Sequence, residues 1–179
     1  MRPLVVTTAG AAFITSAMLN KEPVSKTIYD SSGVSVNSVT AQYQLKDLTT
    51  NNINPNQSYG FAKLGRGNRN PNYMDYNLAN TSVSDEDPTD INTVITCQTA
   101  RREIVNGIVN YVFIFTNTGN DTLNVKEIGY FANTGSAASP QSFLLMRGLL
   151  NGGTGFDIAP TQTLTVSLQF DPASAYVQP

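Results

Sequence analysis

The chemistry open to this chain is limited first by what it lacks. Its 179 residues include no His, no Trp and one Cys. Without His, neither a Ser-His-Asp nor a Cys-His relay can be built, and histidine-ligated metals are excluded. Cys97 stands in the alternating run Val94-Ile95-Thr96-Cys97, where it reads as a small, inward-facing apolar residue. Asp85, Glu86, Asp87 and Asp90 could supply paired carboxylates for glycoside hydrolysis. They crowd into one Pro-containing loop, however, and read as a solvated charge run. Asp85-Glu86-Asp87 and Asn117-Asn120-Asp121 offer oxygen ligands without EF-hand spacing. Asn117 to Asp121 reads instead as a hairpin turn, in which Asn and Gly tolerate positive φ. Gly65-Arg66-Gly67-Asn68 could form an anion-binding concavity of backbone N–H groups. It lacks a phosphate-loop sequence, and a plain turn is the simpler reading. The expectation is no catalytic residue, no metal, no cofactor and no enzymatic activity.

One charged pair is more informative. Glu127 sits inside Val125-Lys126-Glu127-Ile128-Gly129-Tyr130-Phe131. Strand alternation puts it on the face of Val125 and Phe131. A carboxylate there needs a partner. Arg147, within Phe143-Leu144-Leu145-Met146-Arg147-Gly148-Leu149, is the natural one, because a guanidinium can meet a carboxylate bidentately. The two are expected to form a structural ion pair.

The elements that must position these residues are strands. Ile108 to Thr116, Leu123 to Ala132, Ser142 to Leu150 and Thr163 to Phe170 are strand-like runs separated by turn-rich segments. In the last, Leu164, Val166, Leu168 and Phe170 alternate with Thr163, Thr165, Ser167 and Gln169, which gives one buried and one wet face. The first is apolar on both faces and should be central or covered. No helical crossover separates these strands, so an antiparallel arrangement is expected. Residues 1–22 read as a strand and helix segment, with a short helix over 9–19 capped by Thr8 and stopped at Asn20. Residues 23–100 are an irregular β region, with strands near Val34 to Leu45 and Ser58 to Leu64. They contain a long loop, 65–90. Residues 91–179 form the core and a C-terminal tail. The whole is expected to be one domain: all-β, an antiparallel β-sandwich of jelly-roll or Ig-like type, with a short N-terminal helix and extended arms.

Composition sharpens the class. Charged residues make up 13%, against about 25% in typical proteins. A weakly charged polar surface suits a chain covered by neighbours, and equally an ordinary extracellular β-domain. The net charge of −2 argues against nucleic acid, which needs clustered Lys and Arg. Arg66, Arg69, Arg101 and Arg102 are expected to bridge the acidic residues of the loop. The N-terminus lacks a clear signal-peptide cleavage site. No run reaches the about 18 apolar residues of a membrane span. A soluble, unprocessed protein without a membrane partner is expected. The segment 65–90 exceeds the length of an idle loop. It is read as an extended arm pinned to the body or to a neighbouring subunit, and first as an assembly surface in which Tyr73, Met74, Tyr76 and Leu78 dock on a neighbouring chain and Arg66 or Arg69 adds rim contacts. The rival reading is that it packs on its own sandwich and covers an open face or edge.

Several of these segments also carry a family resemblance. Phe115-Thr116-Asn117-Thr118-Gly119, followed by Val125 to Phe131, resembles a pattern recurring in bacteriophage virion proteins. There, a strand ending in Thr-Asn-Thr-Gly precedes a Lys-Glu-Ile-Gly strand. Leu144-Leu145-Met146-Arg147, the turn Ile158-Ala159-Pro160 and the strand Thr163 to Phe170 continue the pattern. Upstream, Lys63-Leu64-Gly65-Arg66-Gly67 through Pro71 to Asp75-Tyr76-Asn77-Leu78 is similar to a segment of the same proteins. Thr7-Thr8-Ala9-Gly10-Ala11-Ala12 resembles the start of tail-fibre and collar proteins. The chain departs at Thr161-Gln162, where the family more often has Gly and an acidic residue. The resemblance implies a non-enzymatic virion component, partnered by capsid, portal, tail or fibre subunits and forming a homo-oligomer. At this length, without repeats, a capsid decoration protein or fibre-docking adaptor fits better than a fibre shaft. The alternative is a carbohydrate-binding or adhesin module on the same kind of sandwich, supported by Tyr59, Tyr73 and Tyr76 and weakened by the absence of Trp.

Overall fold

The structure is a computed structural model that describes residues 5–12, 24–39, 60–106, 108–134 and 141–170. Its strands are β1 (Val5–Val6), β2 (Val24–Tyr29), β3 (Ser35–Val39), β4 (Gly60–Gly65), β5 (Ile95–Val105), β6 (Ile108–Asn117), β7 (Leu123–Val125), β8 (Glu127–Thr134), β9 (Gln141–Leu149), β10 (Phe156–Ile158) and β11 (Thr163–Phe170). All the pairings are antiparallel. One sheet has the order β1-β9-β8-β4 and a second the order β11-β6-β5. A hairpin, β2-β3, and a small sheet, β10-β7, accompany them.

The two larger sheets face each other, as alternation demands. From the first come Ala62, Leu64, Ile128, Tyr130, Ala132, Phe143 and Leu145; from the second come Ile95, Tyr111, Phe113, Phe115, Val166 and Leu168. Together they form one core. Tyr130 spans the layers, with its ring centroid 5.9 Å from that of Tyr111 and 6.0 Å from that of Phe113. This is an all-β, sandwich-like architecture. The doubly apolar strand β6 is central, as its sequence requires. β1 and β4 complete the first sheet, so the sandwich draws strands from upstream of residue 91.

Local departures have physical reasons. The run Leu123 to Ala132 is two strands, because the chain changes partners at Lys126. Its N–H donates to Gly65 O (2.8 Å) and its carbonyl accepts from Leu150 N–H (2.7 Å). Before it, β7 pairs with β10; after it, β8 pairs with β4 and β9. The break also separates Val125, in the main core, from Glu127, on the opposite face of the first sheet. Asn117 to Asp121 is not a hairpin turn, since β6 and β7 do not pair, and none of its residues has positive φ. It is held instead by the buried Asn117 side chain. Asn117 Nδ2 donates to the carbonyls of Asp121 (2.7 Å) and Ile158 (2.8 Å), and Oδ1 accepts from Gly119 N–H (2.9 Å). Its amide is thus spent on backbone and is not a cation ligand.

Residues 8–12 are helical, and the cap is Thr7 rather than Thr8. Thr7 Oγ1 accepts from Gly10 N–H at 3.0 Å, satisfying an orphan donor of the first turn. The same hydroxyl donates to Leu144 O, and Thr7 N–H donates to Leu145 O at 3.0 Å. The helix thereby lies on β9 so closely that a Cβ on Gly10 would strike the Leu145 carbonyl. The expected helix beyond residue 12, its stop at Asn20, the strand reading beyond Val39 and Tyr59 lie outside the described residues.

Candidate functional site

The loop from Arg66 to Asp90 crosses the outer face of the first sheet, and a buried ion network fastens it there. Glu127 and Arg147 are both 0% exposed. Arg147 Nε and Nη2 both donate to Glu127 Oε2, at 2.7 and 2.6 Å. The expected ion pair is present, but it closes on one carboxylate oxygen rather than bidentately on two, because Oε1 is taken by backbone N–H groups. The network extends beyond that pair. Arg147 Nη1 donates to Asp75 Oδ2 (2.6 Å) and Nη2 to Arg69 O (3.0 Å). Asp75 Oδ1 accepts from Arg69 Nη2 at 2.6 Å, and Oδ2 accepts from Asn72 N–H at 2.9 Å. Two carboxylates and two guanidiniums therefore balance, as buried charges must.

Glu127 does more than neutralise Arg147. Its carboxylate accepts backbone N–H bonds from Gly67 (3.0 Å), Ala79 (3.1 Å) and Asn80 (3.0 Å). Of Gly65 to Asn68, read as a plain turn in preference to an anion-binding concavity, only Gly67 lends its N–H to this cluster; the other two come from Ala79 and Asn80, and the anion they hold is the protein's own Glu127. Glycine is required for this contact. A Cβ on Gly67 would overlap Glu127 Oε1 and lie 2.5 Å from the Ala79 Cβ. Asp75 was missing from the sequence reading, which gave Arg147 a single partner. Its signal was its place in Asp75-Tyr76-Asn77-Leu78, a carboxylate among residues needing burial. Burial raises the Asp75 pKa, but hydrogen bonds from Asn72, Arg147 and Arg69, together with the Arg147 charge, outweigh this and hold it below 3.8.

Leu78 is corrected from a docking residue to a core one. It is buried against Phe131 and Leu144, with Phe61 beside them. This apolar patch and the ion network pin the loop to its own sandwich, so it is not an arm reaching for a neighbour. The other aromatic residues of the segment face outward. Tyr73, Met74 and Tyr76 are 63, 55 and 45% exposed, and Tyr29 of β2 joins them at 41%. The Tyr29 and Tyr76 centroids are 6.2 Å apart, at an interplanar angle of 46°. The Thr8 hydroxyl donates to Tyr73 O at 3.0 Å, which ties the patch to the N-terminal helix. Thr8, Tyr29, Met74 and Tyr76 border a cleft of about 30 Å³, room for one water molecule. The tilted rings offer no single flat platform for a sugar face. Arg69 lies in the same segment with its side chain 59% exposed, while Arg66 is turned to Asp85 at 3.2 Å.

The acidic loop is occupied with turn formation. Asp90 Oδ1 caps the 3-10 turn Ile91–Thr93 through Asn92 N–H, and Oδ2 lies 3.8 Å from Lys63 Nζ. Asp87 accepts from Thr89 N–H, and hydrogen bonds from Thr89 lower its pKa. Among the described residues no three His, Cys, Asp or Glu side chains are grouped to hold a metal. Cys97 is half-buried at a cleft of about 220 Å³ between β4 and β5. Burial pushes its thiol up to about 11, against a lowering hydrogen bond with the Ile114 backbone. The side chains of Arg101 and Arg102 lie outside the described residues.

Comparison with protein-family models, with curated proteins and with solved structures finds no match to this chain.

Proposed function

We propose that this chain is a non-enzymatic structural component of a tailed bacteriophage virion. It acts through subunit contacts, as a capsid decoration protein or a fibre-docking or tail adaptor, and is assembled into particles in the host cytoplasm. The observation that carries the reading is the exposed cluster of Tyr29, on β2, with Tyr73, Met74 and Tyr76, on a loop immobilised by a buried ion network. Tyr and Arg are favoured anchors at the centre of protein interfaces, and an anchor already held in place loses less entropy on binding. The segments that carry the virion resemblance support the same reading, because Gly67, Asp75, Glu127 and Arg147 from three of them converge on this network.

Mass spectrometry of purified particles tests the assignment. On the order of hundreds of copies would mean decoration, and about a dozen would mean a vertex or tail adaptor, following particle symmetry. Absence from particles would overturn the proposal. The surface itself is tested with Tyr73→Ala/Tyr76→Ala. The variant is expected to stay folded and fail to incorporate. Normal incorporation would remove the patch from the interface.

A further inference from the structure

Unpaired sheet edges recruit other strands unless something blocks them. Among the described residues, β1, β4, β5 and β11 border the two larger sheets. Three of these are blunted. β1 has two residues. On β4, the Leu64 N–H and carbonyl are taken by Asn92 Oδ1 and Nδ2, each at 2.9 Å. β5 bulges between Cys97 and Thr99 and carries Arg101, Arg102 and Glu103 in its sequence. β11 has no such device. Its eight residues contain no charge, no Pro and no Gly, and its register against β6 is unbroken.

The direction of its backbone groups follows from two bonds. Asn117 N–H donates to Gln162 O at 3.0 Å and the Asn117 carbonyl accepts from Thr161 N–H at 2.9 Å. Asn117 thus turns both groups toward β11, and every second residue of β6 before it does the same, in hydrogen-bonded pairs. Such pairs alternate along an antiparallel ladder. Leu164, Val166 and Leu168 therefore bond to β6. Thr163, Thr165, Ser167 and Gln169 turn N–H and C=O to the open edge, where no described strand pairs with them.

We propose that this edge pairs with β11 of a second copy of the chain, antiparallel, about a two-fold axis normal to the sheet. Each copy's three-stranded sheet then continues into the other's. Self-pairing is favoured by the strand's own composition. With Val166 opposite Val166, Leu164 meets Leu168 and Thr165 meets Ser167. Apolar residues stay over the two cores and polar ones stay outside, as register requires. No charge opposes a like charge. Complete overlap supplies about eight ladder hydrogen bonds. Leu164 packs on the core yet is only partly buried, while Val166 and Leu168 are buried. A second β11 would cover it. The contact uses neither Tyr73 nor Tyr76, so it stands or falls separately from the docking surface.

Sedimentation equilibrium of the full chain from about 1 to 200 μM tests the pairing, with a dissociation constant expected in the micromolar range. Thr165→Pro removes an N–H that only the edge partner uses. Thr165→Lys/Ser167→Lys sets like charges opposite each other through side chains that are exposed or half-buried. Each is expected to weaken the dimer at least tenfold with an unchanged far-UV circular dichroism spectrum. If the proline variant fails to fold, the lysine pair carries the test. Tyr73→Ala/Tyr76→Ala should leave the dimer intact. A wild-type chain monomeric throughout, or a dimer that survives the lysine pair, would overturn the proposal. So would a dimer lost only in the tyrosine variant.

Discussion

Replacing Glu127 by Gln changes one atom, yet should cost much of the protein's stability. In the native site Oε1 receives the N–H groups of Gly67 and Asn80, while Oε2 receives Ala79 N–H and both Arg147 donors. An amide cannot satisfy this arrangement in either orientation, because its NH₂ would point at donors. Arg147 also loses one of its two counter-charges, each at 2.6 Å, while remaining 0% exposed. Breaking a buried pair in this way costs about 3–5 kcal/mol. Total stability is about 5–15 kcal/mol for a typical domain. The expected fall in melting temperature is roughly 6–20 °C, from about 2–4 °C per kcal/mol at this chain length. Removing both charges, in Glu127→Gln/Arg147→Met, leaves Asp75 balanced by Arg69. The double variant should therefore cost less than the sum of the single ones, with a coupling of about 1–3 kcal/mol. Urea titrations followed by circular dichroism and tyrosine fluorescence would measure all four proteins. A Glu127→Gln protein within about 1 kcal/mol of wild type, or simple additivity in the cycle, would refute the network's assigned weight.

Three further outcomes are expected. Because the folded pKa of Asp75 is depressed below 3.8, its contribution is complete above the unfolded value and is lost as pH falls through the lower folded value. The urea midpoint should thus decline in the acid limb below about pH 4, and Asp75→Asn should shallow that limb. Thr161 holds φ +66°, a strained conformation for a β-branched residue. Thr161→Gly should stabilise the chain by about 1 kcal/mol in denaturant titration, and a loss would contradict the strain. With its thiol raised to about 11, Cys97 should react with a disulfide reagent at pH 8 many times more slowly in the native chain than in urea; equal rates would contradict this.

Sequence alternation located what alternation controls. β11 has a strict period of two and β6 is apolar on both faces, and the register that pairs them runs without a break. The pair Glu127–Arg147 was readable because a charge inside an apolar strand demands an opposite one. What escaped was set by distant backbone. β5 runs from Ile95 to Val105, but the charges at Arg101 to Glu103 obscure its pattern. The break at Lys126 depends on hydrogen bonds to Gly65 and Leu150, which no local window contains. Leu78 and Tyr76 are two residues apart with similar apolar character, yet one is buried and the other exposed. Only the sheet beneath the loop decides between them. The turn at Asn117 misled for the opposite reason, since its Asn-Thr-Gly composition suits a hairpin while its side chain serves a longer connection.

The buried network also sets an order of events. The bonds that tie the loop to the sheet join groups 47 to 78 residues apart in the chain, and both Glu127 and Arg147 must already stand side by side on paired strands. The loop that bears Tyr73, Met74 and Tyr76 can settle only on a finished sheet, since closing such distant contacts is entropically late work. A nascent or misfolded chain leaves those side chains on a slack tether, where any partner must bear the cost of ordering them. A finished subunit offers them already fixed. Under the proposed function, the affinity of the surface would therefore report on the completeness of the fold beneath it, and a growing particle that recruits through this patch would reject incomplete subunits without a separate inspection step.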